Sequence, residues 1–112
     1  MNIVSKLKNM LFCDKDVKQS RDICSKLHDS HVKYASEKID GTETIIGREG
    51  HLNVVEEIYF EYTVGVNSIF KFKIDEMKIW EFMSLDGAVI DGYEYNECKE
   101  RSVTVYYDRH LT

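Results

Sequence analysis

The chain reads as an α+β protein. A long N-terminal helix packs on an antiparallel meander of about five strands. Three observations carry that expectation. The apolar residues before Gly41 recur at helical spacing. After Gly41 they alternate with polar ones at a period of two. Gly, Asn and Asp-Gly signals separate the alternating runs.

The helical part begins with Ile3, Leu7, Met10 and Leu11 on one face. The stripe resumes as Val17, Cys24, Leu27, His31, Tyr34 and Ala35. Asp14 can cap a new helix, so this is either one long bent helix or a short one followed by a long one. Gly41 is its expected stop, because glycine adopts the left-handed conformation that ends helices.

The strands follow in order. "TETII" is a short strand before a "GREG" turn. In "LNVVEEIYFEYTV", Ile58, Phe60, Tyr62 and Val64 alternate with Glu57, Tyr59, Glu61 and Thr63, giving one buried and one solvated face. "GVN" turns into "SIFKFKI", where Phe70, Phe72 and Ile74 oppose Lys71 and Lys73. Then come "KIWEFMSL", a turn at Asp86-Gly87, "AVI", a second Asp-Gly at 91–92, "YEYNE" and finally "RSVTVYYD".

The chain has 112 residues, 43% of them hydrophobic, with no proline, repeat or linker. One domain spanning 1–112 is expected, small enough that oligomerisation would add stability. No apolar run approaches the ~18 residues of a membrane span. The N-terminus is amphipathic and lacks the apolar block and cleavage site of a signal peptide, so it belongs to a cytosolic fold. Cys13, Cys24 and Cys98 are odd in number and form no CxxC, which fits reduced thiols.

The net charge is -5. Residues 1–40 carry eight Lys/Arg against six Asp/Glu, and residues 41–112 carry seven against fourteen. An acidic C-terminal half argues against long DNA or RNA, whose binding rests on neutralising phosphates. A small nucleotide needs only one or two arginines, and four are present: Arg21, Arg48, Arg101 and Arg109.

No motif points to catalysis. Cys24, His28 and His31 share a helical face at i, i+4 and i+7, but a structural zinc site needs a fourth ligand and none is in reach. There is no GxSxG and no reactive-cysteine signature. "GTETIIGREG" has neither the Walker lysine nor dinucleotide spacing. No cofactor and no metal are expected.

The aromatics remain. On a strand, Trp80 and Phe82 share a face. That face is either core or an open stacking platform, where a ring and an arginine plane can sandwich a base. Composition favours core. Arg109, in "VYYDRHLT", lies three residues from the end and is free to reach a neighbouring subunit.

Length, helix-then-sheet order, Phe82 in "WEFMS" and Arg109 in "YYDRHLT" together resemble a phage family, the first-described type of Thoeris anti-defence protein. The resemblance covers the whole chain. It implies a sponge that captures a cyclic ADP-ribose signal (glycocyclic ADP-ribose) made by a bacterial TIR enzyme, in the host cytoplasm and without turnover. Members form homodimers and bind the signal between two subunits. Some build a trimer of dimers and also hold cyclic trinucleotides. Phe82 would stack on the adenine, and Arg109 would close the pocket. Asn96, Tyr107 and Asp108 are further pocket candidates by their closeness in sequence to these two. The competing reading is a small acidic immunity or antitoxin-like protein that covers a basic toxin surface.

Overall fold

The computed structural model describes residues 14–108, with side chains from Lys18 onward. Among these residues are one helix, α1 (Asp14–Leu27), and six strands. The strands are β1 (Ser30–Ile39), β2 (Thr42–Val55), β3 (Tyr59–Val64), β4 (Asn67–Glu81), β5 (Gly87–Glu94) and β6 (Lys99–Tyr107). Each strand pairs antiparallel with the next, and β6 returns to β1. The sheet is therefore a closed barrel in sequence order.

This corrects the expected fold class. The protein is not a long helix on an open meander. The helix ends at Leu27, and residues 30–39, expected to be helical, form β1. Asp29 turns left-handed (φ 66°), and its N–H donates to the Leu52 carbonyl at 2.6 Å. The helical stripe through His31, Tyr34 and Ala35 is also readable as a strand in which Val32, Ala35 and Glu37 are buried. Tertiary pairing decides the matter. As β1, this segment satisfies its backbone on both sides and removes both edges of the sheet. The first part of the expected helix, with Ile3, Leu7, Met10 and Leu11, lies outside the described residues.

Three turn assignments also change. "GREG" is not a turn, because β2 runs through it. Its glycines instead make room for Tyr62. A Cβ on Gly47 would stand 2.8 Å from the Tyr62 hydroxyl, and one on Gly50 would stand 2.3 Å from the Thr63 carbonyl. The real turn interrupts "NVVEEIYF" at Glu56 and Glu57. Both are left-handed (φ 55° and 61°), and the Ile58 N–H donates to the Val55 carbonyl at 3.0 Å. The connection has three residues, because Val55 pairs with Tyr59, and its turn is of the kind whose two central residues both need positive φ. Asp91-Gly92 lies inside β5, where a Cβ on Gly92 would meet the backbone of Glu76 and Met77 at 3.0 Å. The last turn is at 95–98, with Cys98 left-handed (φ 56°).

β4 is one strand rather than two, and it carries a bulge. Phe72 pairs with Glu94 and Met77 pairs with Gly92, so four residues of β4, Lys73 to Glu76, oppose the single Tyr93 of β5. The bulge flips the inward parity. Phe70, Phe72 and Ile74 are buried before it, and Met77 and Ile79 after it.

The interior is rich in rings. Phe70 lies 5.4 Å from Tyr62 and 5.2 Å from Phe72, centre to centre. Each such buried ring contributes roughly 1.5–3 kcal/mol through the apolar area it removes from water. α1 adds Ile23, Cys24 and Leu27 to this core. Its ion pairs, Arg21 with Asp75 and Lys26 with Glu81, both at 2.7 Å, reach the part of β4 beyond Lys73, where β3 no longer pairs. Burial, slightly offset by Arg21, pushes the Cys24 thiol up to about 12.

Towards the end of the barrel that carries the β1–β2, β3–β4 and β5–β6 turns, the core becomes ionic. Arg101 donates two bonds of 2.9 Å to Glu37 and one of 2.9 Å to Glu94. Glu94 is fully buried and also accepts the N–H groups of Lys71, Asn96 and Glu97. Burial alone would raise its carboxyl. These four donors outweigh burial and hold it below the usual carboxylate value. Among the described residues, no helix is long and apolar enough to cross a membrane.

Candidate ligand surface

The parity flip in β4 sorts the aromatic residues that the sequence left ambiguous. Ile79 points inward and is 5% exposed, whereas Trp80 is 49% exposed. The expectation that Trp80 packs in the core is therefore overturned. It lines a shallow cleft of about 110 Å³ with Gln19, Ser20, Lys78 and Ile79, between α1 and β4. A site for a drug-sized or nucleotide ligand generally needs ~300 Å³ or more, so this cleft suits a smaller occupant.

Phe82 lies just past β4, where the strand's alternation no longer applies. Its N–H donates to the Gly87 carbonyl at 2.9 Å, and the Leu85 N–H donates back to the Phe82 carbonyl at 2.9 Å. The loop is further tied by a bond from the Ser84 hydroxyl to Asp86. These contacts fold the chain back so that the Phe82 ring lies over Gly87. A Cβ on Gly87 would approach that ring to 2.5 Å. Because Gly87 has no side chain, the ring crosses it and reaches Tyr106, which is Gly87's partner on β6.

There the rings continue. Phe82 meets Tyr106 edge-on at 5.7 Å, and Tyr106 stacks on Tyr34 at 4.4 Å with 19° between planes. Tyr34 in turn pairs with Arg48 on β2, so the two side chains share the outer face. The result is one tier across the outside of the barrel: Phe82, Tyr106, Tyr34, Arg48. Its three rings are half-buried and Arg48 is exposed. Burial first, then the charges of Glu43, Tyr34 and Asp86, raise the Tyr106 hydroxyl above its ordinary value.

Among the described residues, Arg48 is the one arginine that no carboxylate holds. Arg21 pairs with Asp75, and Arg101 is buried with Glu37 and Glu94. A second set of rings, Tyr59, Tyr93 and Tyr95, is tied differently. Lys71 sits 4.5 Å from the centre of Tyr59, and the Tyr95 hydroxyl donates to Glu76 at 2.6 Å. That bond, with burial, pushes Tyr95 up to about 12.

The other expected site residues are scattered. Tyr107 faces inward and is 1% exposed. Asp108 is exposed and pairs with Lys33 at 3.2 Å. Asn96 lies in the β5–β6 turn, at the far end of β5 from Phe82, and donates to the Ser68 hydroxyl at 2.8 Å. Arg109 lies outside the described residues. The helical metal set also diverges. Cys24 is buried on the inner side of α1, His28 accepts the Val54 N–H, and His31 faces Glu49 at 2.7 Å.

Tyr34, Tyr106 and Arg48 were not among the residues expected at a site. Tyr106 was legible, because in "SVTVYY" Val103, Val105 and Tyr107 alternate with Thr104 and Tyr106. Tyr34 and Arg48 were hidden by the helix and turn assignments on either side of Gly41. Comparison with protein families, with curated proteins and with solved structures finds no match to this chain.

Proposed function

We propose that this protein is a non-catalytic binder that captures a nucleotide-type signal of the cyclic ADP-ribose class on the tier that begins at Phe82. The observation that carries the reading is the tier itself: three half-buried rings in succession, beside a guanidinium that no carboxylate among the described residues holds. Rings of this kind offer a flat face to a purine, and stacking contributes ~1–3 kcal/mol per base. Capture without turnover of a TIR-made signal would block Thoeris anti-phage defence, as the resemblance of "WEFMS" implies. The helix-on-sheet part of that resemblance is corrected above, so the reading rests on the Phe82 surface.

The outside of a barrel is convex, and a ring laid on it keeps its other face in water. A second copy of the chain supplies the missing wall, which makes the binding unit a homodimer. The test is direct. Purified protein is incubated with cyclic ADP-ribose isomers, freed of unbound ligand, denatured, and the released material identified by mass. Intact ligand is expected from the native chain and none from Phe82→Ala. Released hydrolysis products would identify an enzyme instead. Retention of nothing, or of equal ligand by Phe82→Ala, would remove the reading. A monomer by light scattering in the presence of ligand would remove the shared wall.

A further inference from the structure

Resting on that reading, we infer that Arg48 is the phosphate-holding end of the tier. The ligand lies along the outer face from the β4–β5 loop across β5, β6 and β1 to β2, with its flat ring against Phe82 and Tyr106 and its phosphate on the Arg48 guanidinium. The charges along the tier set this direction. Asp86 follows Phe82 in the same loop, and its carboxylate acts on Tyr106. A phosphate is repelled from that end. A purine's amino group meets an acceptor there instead. At the other end Arg48 is exposed and opposite Tyr34. Its planar fork matches two phosphate oxygens at once. Lys33, next to Tyr34 in sequence, does not compete, since Asp108 holds it at 3.2 Å. Between the two ends, the Tyr106–Tyr34 stack at 4.4 Å gives a continuous apolar floor for the ribose and the rest of the ligand.

Affinities for cyclic ADP-ribose and for adenosine, which has the ring but no phosphate, separate this inference from the reading beneath it. Calorimetry is run on the native chain, Arg48→Gln, Arg48→Lys and Phe82→Ala. Arg48→Gln should weaken cyclic ADP-ribose by about tenfold or more, the worth of a charge-assisted pair. It should leave adenosine unchanged and flatten the salt dependence. Arg48→Lys should recover part of the loss. Phe82→Ala should weaken both ligands. Arg48 is exposed, so its variants should melt like the native chain. Native-like cyclic ADP-ribose affinity in Arg48→Gln, with Phe82→Ala impaired, overturns the Arg48 assignment and leaves the Phe82 surface standing. Equal loss of adenosine and cyclic ADP-ribose in Arg48→Gln also overturns it. No binding of either ligand by the native chain overturns both.

Discussion

Replacing Arg101 by Met should be among the most damaging single changes to this protein, and it should reverse the protein's response to mild acid. The arginine is 8% exposed and holds two carboxylates that are themselves 7% and 0% exposed. The two carboxylates do not depend on it equally. Glu94 keeps three backbone donors at 2.6–2.8 Å. Glu37 loses both of its bonds. Breaking a buried pair from one side costs ~3–5 kcal/mol, because a charge is left without a partner. For a chain of this size with a urea slope of ~2 kcal/mol per molar, the midpoint should fall by about 2 M. The pH response then distinguishes the cause. In the native protein Glu94 is held below its ordinary value of 4.5. Its contribution is complete above that value and is lost as pH falls through the lower folded value. In Arg101→Met the stranded Glu37 is a buried anion without its partner, a cost that acid removes. Urea titrations at pH 7 and pH 5 should show the variant gaining stability on acidification while the native chain gains none. Adding Glu37→Gln should restore most of the loss at pH 7. A loss under about 1 kcal/mol, or parallel pH responses, would refute the account.

Three further outcomes follow from the backbone and the tier. Gly87→Ala places a methyl 2.5 Å from the Phe82 ring and 2.8 Å from the Val105 carbonyl. It should cost ~1–3 kcal/mol, read by thermal melting, and should displace Phe82 from Tyr106, read by ring chemical shifts. Changing Glu56-Glu57 to Asn-Gly relieves two left-handed glutamates in one turn, and should raise stability by ~0.5–2 kcal/mol in urea. Ile79→Ala should cost ~2–5 kcal/mol and Trp80→Ala under about 1 kcal/mol. The reverse order would mean that β4 does not flip its parity at Asp75 and Glu76.

How far the sequence could be read depended on whether local pattern and tertiary pairing agreed. They agreed for β3, the first half of β4 and β6, where Phe60, Tyr62, Phe70, Phe72, Val103 and Val105 alternate and are all buried. They disagreed for residues 30–39. That stretch carries a helical stripe and a strand pattern at once, and only closure against β2 and β6 selects the strand. Glycine misled in the other direction. Gly47, Gly50 and Gly92 looked like punctuation, yet each sits in a strand because something large or close passes over it. The turn signals that mattered were two glutamates, which no residue preference would choose.

The sequence paired Trp80 with Phe82 on an assumption that the structure removes. Period two, applied to an unbroken "KIWEFMSL", puts Trp80 and Phe82 on one face and asks whether that face is core. The question assumes that both residues belong to one strand with one parity. In the structure the inward parity of β4 changes at its bulge, and the strand ends at Glu81. Trp80 therefore faces outward by alternation, while Phe82 is placed by its loop and by the absence of a side chain at Gly87. A phenylalanine held half-open by a glycine, rather than by strand geometry, is a ring that the sheet does not need for its core. The same argument extends to Tyr106 and Tyr34, whose positions inward of the tier are taken by Val105 and Ala35. The barrel interior does not require these rings, so they stay on its outer face, where the proposed ligand would meet them.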